Sequence, residues 1–424
     1  MTGFTLNVVY NYWEGDNPIP NGKFQYPKKH FWDIEEFIKS YINSFSGEGD
    51  KIVVKSNKIA DVYENPNQKY FYFIGHATMN IDEIIEDDLI ISDEIKKCLR
   101  LCDNFNIVFL THHEPDDENG FIRLNNSDLP KNQIYVINNN HKLAEYVNKH
   151  NSKIKVHCSM YLPVVVSESL RELGGTEFST EEKEKEKFFR SFNRVPKIHR
   201  YSLLAFMMKN NLLYDTNWSL IPVYFVNFNC NTYNKIFELG ECENYIEEID
   251  YLNKLKLKIS DHESTELSFD DNNQITVLNP KFAKALVPPE MPLNYENSYV
   301  NIVTESNFLD KENVIQITEK SFKPFFYYQF PIILATHHHT KSLKEKYGFD
   351  FFDDIIDHSY DNEMDQKKRF SMFVKEVKRL HDNKESLIEF YNNNQHRFEE
   401  NKKKVISIRN NISDYLFMRS LSNS

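Results

Sequence analysis

The sequence predicts an α/β protein made of two Rossmann-like domains that face a cleft, followed by a C-terminal helical tail. Its 424 residues exceed the roughly 250–300 that usually share one hydrophobic core. Short apolar runs alternate with amphipathic segments along most of the chain, and this alternation is typical of parallel βαβ units. A diglycine followed by a run of alternating Glu and Lys interrupts the pattern and indicates a domain boundary.

These observations divide the chain into four parts. We predict a first Rossmann-like domain at 1–172, a charged linker at 173–187, a second Rossmann-like domain at 188–364, and helices at 365–424 that pack across the domains. The acidic segment 240–273 has little periodicity and is interpreted as an insertion or as a loop with a short helix.

The predicted elements follow in order. Apolar residues at three- and four-residue spacing predict helices at Phe31–Phe45 and Ile91–Cys102. The strands predicted for the first domain are Thr5–Tyr10, Lys51–Lys55, Tyr70–Gly75, Asn106–Thr111, Ile134–Asn138 and Lys155–Cys158. Those predicted for the second domain are Phe188–Ser191, Ile221–Asn227, Ile275–Leu278, Val300–Thr304, Val314–Ile317 and Pro331–Ala335. In the tail, one apolar stripe comprises Phe370, Phe373, Val374, Val377 and Leu380, and a second comprises Val405, Ile408, Ile412, Tyr415 and Leu416.

Composition narrows the functional classes. A net charge of −12 opposes broad attraction to nucleic acid or anionic membranes. The sequence has no 18-residue apolar run and no basic segment followed by an apolar one at its N-terminus, so we expect a cytoplasmic protein without membrane insertion. With 11 glycines and neither a Gly-x-Gly-x-x-Gly nor a Gly-Lys-Ser/Thr motif, any phosphate must be held by side chains and helix ends.

Two segments carry the residues for such a site. Ile315–Pro324 places Thr318, Glu319 and Lys320 between a predicted strand and a helix, where α/β proteins bind phosphorylated ligands. The segment 188–204 concentrates basic residues at another strand-to-helix junction, which suits a diphosphate. The alternative for that segment is an interdomain hinge stabilised by salt bridges. Its basic residues are Arg190, Arg194, Lys197, His199 and Arg200.

The pattern Thr318-Glu-Lys-x-Phe-Lys323 resembles the donor-binding motif of α1,3-fucosyltransferases and of related glycosyltransferases, several of them viral. The resemblance covers roughly residues 186–370, including the block Tyr347–Asp361. It implies a GT-B fold in which the domain at 188–364 binds the nucleotide-sugar donor and the domain at 1–172 lies on the acceptor side. It further implies donor-site roles for individual residues. These are Arg194 or Arg200 and Lys320 for pyrophosphate, Glu319 for ribose or sugar hydroxyls, Glu305 facing the donor sugar, and Thr318 and Lys323 as the remaining motif positions.

The first domain contains three candidates for a catalytic base. Glu114 follows a predicted strand, and a carboxylate at such an edge can accept the proton of an acceptor hydroxyl. His112 and His113 are substitutes, and His76 lies at another predicted edge. The alternative is that these residues line the cleft or hydrogen-bond a loop.

No metal or cofactor is expected. Consecutive residues of a strand point to opposite faces, so His337–His339 cannot all ligate one ion without a turn. Asp116-Asp117 and Asp353-Asp354 match metal-binding Asp-x-Asp elements only loosely. The expected co-substrate is a nucleoside diphosphate sugar of the UDP or GDP type.

The predicted function is transfer of a hexosyl or pentosyl group from this donor to an acceptor hydroxyl. The acceptor is a glycan or, given the Asn- and Lys-rich, phage-like composition, a hydroxymethylated base in phage DNA. The host cytoplasm is the expected location of a viral enzyme. The alternatives are a non-catalytic nucleotide-sugar or glycan-binding module and a metal-dependent phosphohydrolase.

Overall fold

The computed structural model describes most of the chain and divides it into two compact units. Unit 1 comprises Met1–Leu162 with Asn410–Ser424, and unit 2 comprises Pro163–Arg409. The described residues are 4–9, 52–75, 91–111, 118–160, 163–164, 166–167, 170, 184–193, 197–220, 267–269, 275–277, 297–308 and 314–423. The predicted helix Phe31–Phe45, the predicted strand Ile221–Asn227 and most of the predicted linker lie outside them.

Unit 1 is built on a parallel sheet of six described strands in the order β2-β1-β3-β4-β5-β6. The described helices between the strands are short, and the predicted strands Tyr70–Gly75, Ile134–Asn138 and Lys155–Cys158 agree residue for residue with those observed. The elements are β1 (Phe4–Val9), β2 (Ile52–Asn57), α1 (Ile59–Glu64), β3 (Tyr70–Gly75), α2 (Asp93–Leu101), β4 (Phe105–Thr111), α3 (Glu118–Asn126), β5 (Ile134–Asn138), α4 (Leu143–Lys149) and β6 (Lys155–Cys158).

The central strands of unit 1 are apolar at consecutive positions because they are buried on both faces. All five residues of β5 are buried. In α2, the side chain of Ser92 accepts a hydrogen bond from the backbone N–H of Ile95 and caps the helix. Ile95, Cys98 and Leu99 then occupy one buried face, as the spacing predicted.

Unit 2 contains a parallel sheet of four described strands in the order β12-β11-β7-β8. Its strands and helices are β7 (Lys187–Asn193), α5 (Ile198–Lys209), β8 (Thr216–Leu220), β9 (Leu267–Phe269), β10 (Ile275–Val277), β11 (Ser298–Thr304), α6 (Glu319–Phe326), β12 (Phe330–Leu334), α7 (His339–Tyr347), α8 (Gln366–Asp382), α9 (Lys384–Asn393) and α10 (Gln395–Ser407). The last helix, α11 (Ser413–Asn423), belongs to unit 1. The prediction of an α/β protein with two Rossmann-like domains and a helical tail is confirmed. The predicted cleft between the domains stays a prediction.

Two strand predictions for unit 2 need correction. Val314–Ile317 is not a regular strand, since only Gln316 forms a β-bridge. Side chains contact this segment, since Thr336 Oγ1 donates to the Val314 carbonyl and the Asn307 amide donates to the Gln316 side chain. The strand predicted at Ile275–Leu278 forms, but β10 pairs antiparallel with β9 instead of joining the described parallel sheet.

Both parallel sheets reverse their winding after the first strand. In unit 1 β1 lies between β2 and β3, and in unit 2 β7 lies between β8 and β11. The connections that leave the carboxyl ends of two neighbouring strands therefore run in opposite directions. This topological switch point is where open α/β sheets bind ligands.

The helices of the tail confirm one predicted stripe and correct the other. All five residues of the first stripe are buried in α8. The second stripe requires one continuous helix, but a 3₁₀ turn at Ile408–Asn410 separates α10 from α11. Ile412 and Leu416 are consequently 44% and 50% exposed.

No helix among the described residues combines the length and apolarity needed to cross a bilayer.

Candidate functional site

The predicted donor residues gather at the switch point of the unit 2 sheet. Glu305 directly follows β11, α5 follows β7, and α6 begins at Glu319. Parallel strands present their carboxyl ends at one edge, so these connections share a neighbourhood.

The Thr318–Lys320 turn starts α6. Thr318 has an extended backbone, and its hydroxyl accepts a 3.3 Å hydrogen bond from the Lys320 N–H, as an N-cap should. The helix has only eight residues and contains Pro324, so its own hydrogen bonds give it little stability. Packing holds it in place, since Phe325 stacks on Phe349 with ring centroids 4.1 Å apart.

Glu319 and Lys320 form an ion pair at this turn. The Lys320 Nζ lies 3.0 Å from a Glu319 carboxylate oxygen, and the two side chains remain 25% and 14% exposed. Burial favours the neutral acid, but the charges of Lys320 and Lys323 outweigh it and lower the pKa of Glu319 to about 2. Burial likewise opposes the ammonium, yet Glu319 and Glu305 raise the pKa of Lys320 above its usual value. Both groups are therefore charged at neutral pH and partly accessible.

Glu305 lies beneath the turn. Glu305 is 2% exposed. Its carboxylate accepts hydrogen bonds from the Thr318 hydroxyl, at 2.7 and 2.9 Å, and from the Ser321 hydroxyl, at 2.6 Å. The Ser321 hydroxyl also lies 2.9 Å from His339 Nε2. In this structure the carboxylate of Glu305 is engaged with α6.

Basic residues around the start of α5 hold the end of β11 from the other side. The Lys197 Nζ donates to the Ser306 carbonyl at 2.6 Å, the His199 Nε2 to the Glu305 carbonyl at 3.0 Å, and the Arg200 guanidinium to the Thr304 carbonyl at 3.0 Å. Three consecutive carbonyls are thus bound by three side chains. Burial and the neighbouring Arg200 charge lower the pKa of His199 well below its usual value, so His199 is neutral.

Arg200 is close enough to Lys320 for its charge to oppose the Lys320 ammonium. Lys323, one turn after Lys320, is 1% exposed. The cations of Arg200, Lys320 and Lys323 and the carboxylates of Glu305 and Glu319 thus share this edge. The N-terminus of α6, where Lys320 lies, is the end of the helix that favours a bound anion.

The structure brings six of the predicted site residues into this neighbourhood. They are Arg200, Glu305, Thr318, Glu319, Lys320 and Lys323. The other predicted residues, Arg194 and the candidate bases His112, His113 and Glu114, lie outside the described residues, as do His76 and Asp116-Asp117.

Sequence reasoning missed Ser321 and His339. Ser321 is the variable position of the motif, and His339 lies in a triplet that the sequence analysis considered only as a possible metal site. His339 instead faces Ser321, while His338 adopts a left-handed backbone conformation with φ of 64°. No signal in a single sequence pairs residues 18 positions apart across a strand.

The adjacent residues Asp353 and Asp354, in the Tyr347–Asp361 block, also have protein partners. Asp353 pairs with Lys344 at 2.5 Å, and Asp354 pairs with Arg397 at 2.7 Å. Within the described ranges, no group of three His, Cys, Asp or Glu side chains is arranged to hold a metal ion.

No family model matches the sequence, and no curated protein matches it. Among solved structures, the chain is similar to a UDP-forming α,α-trehalose-phosphate synthase from Burkholderia vietnamiensis, with 13% identity and a TM-score of 0.39. It is also similar to the corresponding enzyme from Burkholderia xenovorans, with 9% identity and a TM-score of 0.38. Each match covers 86% of this chain and 75% or 76% of the other. Such low TM-scores carry no argument for activity, which must come from the site itself.

Proposed function

We propose that this protein is a glycosyltransferase that moves a sugar from a nucleoside diphosphate sugar to an acceptor hydroxyl. The observation that carries the proposal is the partly exposed Glu319–Lys320 pair at the start of α6, beside the end of β11 that Arg200 binds, at the switch point of the unit 2 sheet. A carboxylate beside an ammonium at a helix N-terminus offers complementary partners for a diphosphate and for sugar hydroxyls.

Lys320 is the residue proposed to act on the leaving group. When the glycosidic bond to the diphosphate breaks, negative charge develops on the leaving oxygen, and a fixed ammonium nearby lowers the energy of that state. Preorganised electrostatic groups of this kind are typically worth about 3–4 kcal/mol in the transition state. Glu319, ionised at neutral pH, would accept hydrogen bonds from ribose or sugar hydroxyls.

Arg200 supports the anion through its charge. Its guanidinium already donates to the Thr304 carbonyl, so in this conformation part of its donor capacity holds the end of β11. The second arginine of the predicted pair, Arg194, is proposed to complete the pyrophosphate site. Side-chain cations would then neutralise the diphosphate without a metal ion.

The acceptor side of the reaction is proposed from the sequence. Glu114, or His112 or His113 in its place, is the proposed base that removes the proton from the acceptor hydroxyl. The proposed acceptor is a glycan or a hydroxymethylated base in DNA, the transferred sugar is a hexose or pentose, and the enzyme acts in the cytoplasm with the two domains in a GT-B arrangement.

Release of nucleoside diphosphate tests this function. The purified protein is incubated with UDP- and GDP-linked sugars, with glycan or hydroxymethylated duplex acceptors, and with or without EDTA. We expect acceptor-stimulated release that resists EDTA and falls at least about 100-fold in Lys320→Ala. Hydrolysis abolished by EDTA would instead support the phosphohydrolase, and nucleotide binding without release would support the binding module.

A further inference from the structure

The end of β11 forms a rigid base beneath the Thr318–Lys320 turn. The backbone of Glu305 is bound on both sides, because its N–H donates to the Leu334 carbonyl of β12 and its carbonyl accepts from His199. The adjacent carbonyls of Thr304 and Ser306 accept from Arg200 and Lys197. The Glu305 side chain therefore projects from a backbone that has little freedom to move.

A chain of hydrogen bonds runs from this base to Lys320. The Ser321 hydroxyl has one proton and donates it to Glu305, so the His339 Nε2 must be the donor in its contact with Ser321. Thr318 also donates to Glu305, and its oxygen accepts from the Lys320 N–H and, at 3.3 Å, from the Lys320 Nζ. Thr318, Glu305, Ser321 and His339 are each at most 5% exposed.

His339 is neutral, so its ring can donate one hydrogen bond to Ser321. Burial lowers the pKa of His339 despite the nearby Glu305 and Asp361 charges, so the ring is neutral and carries one N–H. That N–H is fixed on Nε2 by the hydrogen bond to Ser321. His339 is also the first residue of α7, whose N-terminus is closed by the Asp361 carboxylate through the N–H groups of Thr340 and Lys341. The ring is thereby held at a defined place.

We infer that Ser321 and His339 are positioning residues for the anion site. They hold the Glu305 carboxylate against Thr318, and Thr318 in turn orients the Lys320 ammonium toward a diphosphate. This inference rests on the proposed function and deepens it, since neither residue is accessible to a ligand and both act through Lys320.

Nucleotide affinity tests the inference. UDP, GDP, CDP and ADP are first screened for binding to the wild type. The dissociation constants of the nucleotide that binds and of its parent nucleoside are then measured by calorimetry, with a competition experiment for the weaker ligand. Ser321→Ala should weaken diphosphate binding about tenfold and leave nucleoside binding within about twofold, because only the phosphate-binding ammonium loses its support. In a Lys320→Ala background, Ser321→Ala should have no further effect, since the two changes act on one interaction.

Two controls separate positioning from general damage. Ser202→Ala removes an equally buried hydroxyl that bonds only to a carbonyl within α5, and it should leave diphosphate affinity unchanged. His339→Gln can donate from a similar position and should retain affinity, whereas His339→Leu should lose it. If Ser321→Ala does not fold, the comparison of His339→Gln with His339→Leu still tests the positioning role.

Several results would overturn the inference. Unchanged diphosphate affinity in Ser321→Ala and His339→Leu would remove the positioning role while leaving the proposed function intact. Equal losses for diphosphate and nucleoside would indicate a general structural effect. A wild type that binds none of the four nucleotides would defeat the proposed function and this inference together.

Discussion

The side chains of Glu319 and Lys320 touch each other at an edge where each is mostly, but not fully, withdrawn from water. Partial burial strengthens their attraction, and the remaining exposure leaves both accessible to a ligand. Because Lys320 and Lys323 lower the pKa of Glu319 to about 2 against a usual 4.5, the pair also makes stability depend on pH.

A depressed pKa means that the stabilisation is complete above the unfolded-state value and disappears as pH falls through the folded-state value. We therefore expect Glu319→Gln to be less stable than the wild type at pH 7, by on the order of 2 kcal/mol. The difference should shrink between about pH 4.5 and pH 2. Urea unfolding of both proteins at pH 7, 5 and 3.5 measures it, and a difference independent of pH would contradict the account.

For individual residues of the site, the sequence predicts contacts between chain neighbours. The order Thr318-Glu-Lys is visible in the chain and leads to a helix start with a capping hydroxyl. The role of Ser321 was not visible, because its partners Glu305 and His339 approach only after β11, α6 and α7 have packed. A small hydroxyl residue inside a motif carries no sign of such a contact.

The element next to the site, the block Tyr347–Asp361, is fixed by one arginine from α10. The Arg397 guanidinium forms two bonds with Asp350, at 2.6 and 2.9 Å, and two with Asp354, at 2.7 and 3.0 Å. It also lies over the Phe352 ring, 4.8 Å from its centroid. The hydrogen bonds to Asp350 and Asp354 raise the pKa of Arg397 above its usual value.

A planar fork bonded to two carboxylates and stacked on a ring cannot be reproduced by an ammonium. We expect Arg397→Lys to lower the free energy of unfolding by about 1–2 kcal/mol and Arg397→Ala by about 2–3 kcal/mol. Urea unfolding at pH 7 provides the measurement. Lys378→Ala is the matched control, because its pair with Asp382 is about half exposed on both sides and should cost less than about 0.5 kcal/mol. An Arg397→Lys protein as stable as that control would argue against this role.

Elements were predictable from the sequence where burial leaves a periodic pattern. The apolar runs of β3 and β5 and the stripe of α8 were found because both faces of a central strand, or one face of a helix, must be apolar. Val314–Ile317 looks the same in sequence, yet it forms no regular strand. Its buried side chains are apolar for the same reason, but the segment forms a β-bridge at Gln316 alone, and the Thr336 hydroxyl binds the Val314 carbonyl.

Across the whole molecule, the chain ends in the unit where it begins. Asp414, near the start of α11, accepts hydrogen bonds from the backbone N–H of Met160 at 3.0 Å and from the Ser159 hydroxyl at 3.0 Å, and its carboxylate lies 2.6 Å from His157 Nε2. Phe417 stacks on the His157 ring with centroids 4.4 Å apart. The ends of β6 and α11 thus stabilise each other within unit 1.

Removing this contact should affect one unit selectively. We expect Asp414→Ala to lower the stability of unit 1 by about 1–3 kcal/mol, because a buried carboxylate that satisfies two donors is lost. Hydrogen exchange followed by mass spectrometry should show faster exchange in peptides of β4, β5 and β6, with unit 2 peptides such as those of α8 unchanged. Equal acceleration in both units would refute the assignment of α11 to unit 1.

A division into two units was predictable from length, because one core rarely extends over more than about 300 residues. The division falls between Leu162 and Pro163, and the charged linker at 173–187 stays a prediction. The placement of α11 was harder to specify, since its apolar residues continue the spacing of α10. Only the 3₁₀ turn at Ile408–Asn410 reveals that the two helices serve different cores.

A nucleoside diphosphate is proposed to bind at the switch point of the unit 2 sheet through Lys320. Thermal unfolding with UDP, GDP, CDP and ADP, each with and without EDTA, tests it on the wild type, Lys320→Ala and the control Lys378→Ala. A ligand at about 100 times its dissociation constant adds about 2.7 kcal/mol, a shift of several degrees. We predict such a shift with UDP or GDP, unaffected by EDTA, retained in Lys378→Ala and lost in Lys320→Ala. No shift with any nucleotide, or an equal shift in Lys320→Ala, would contradict the claim.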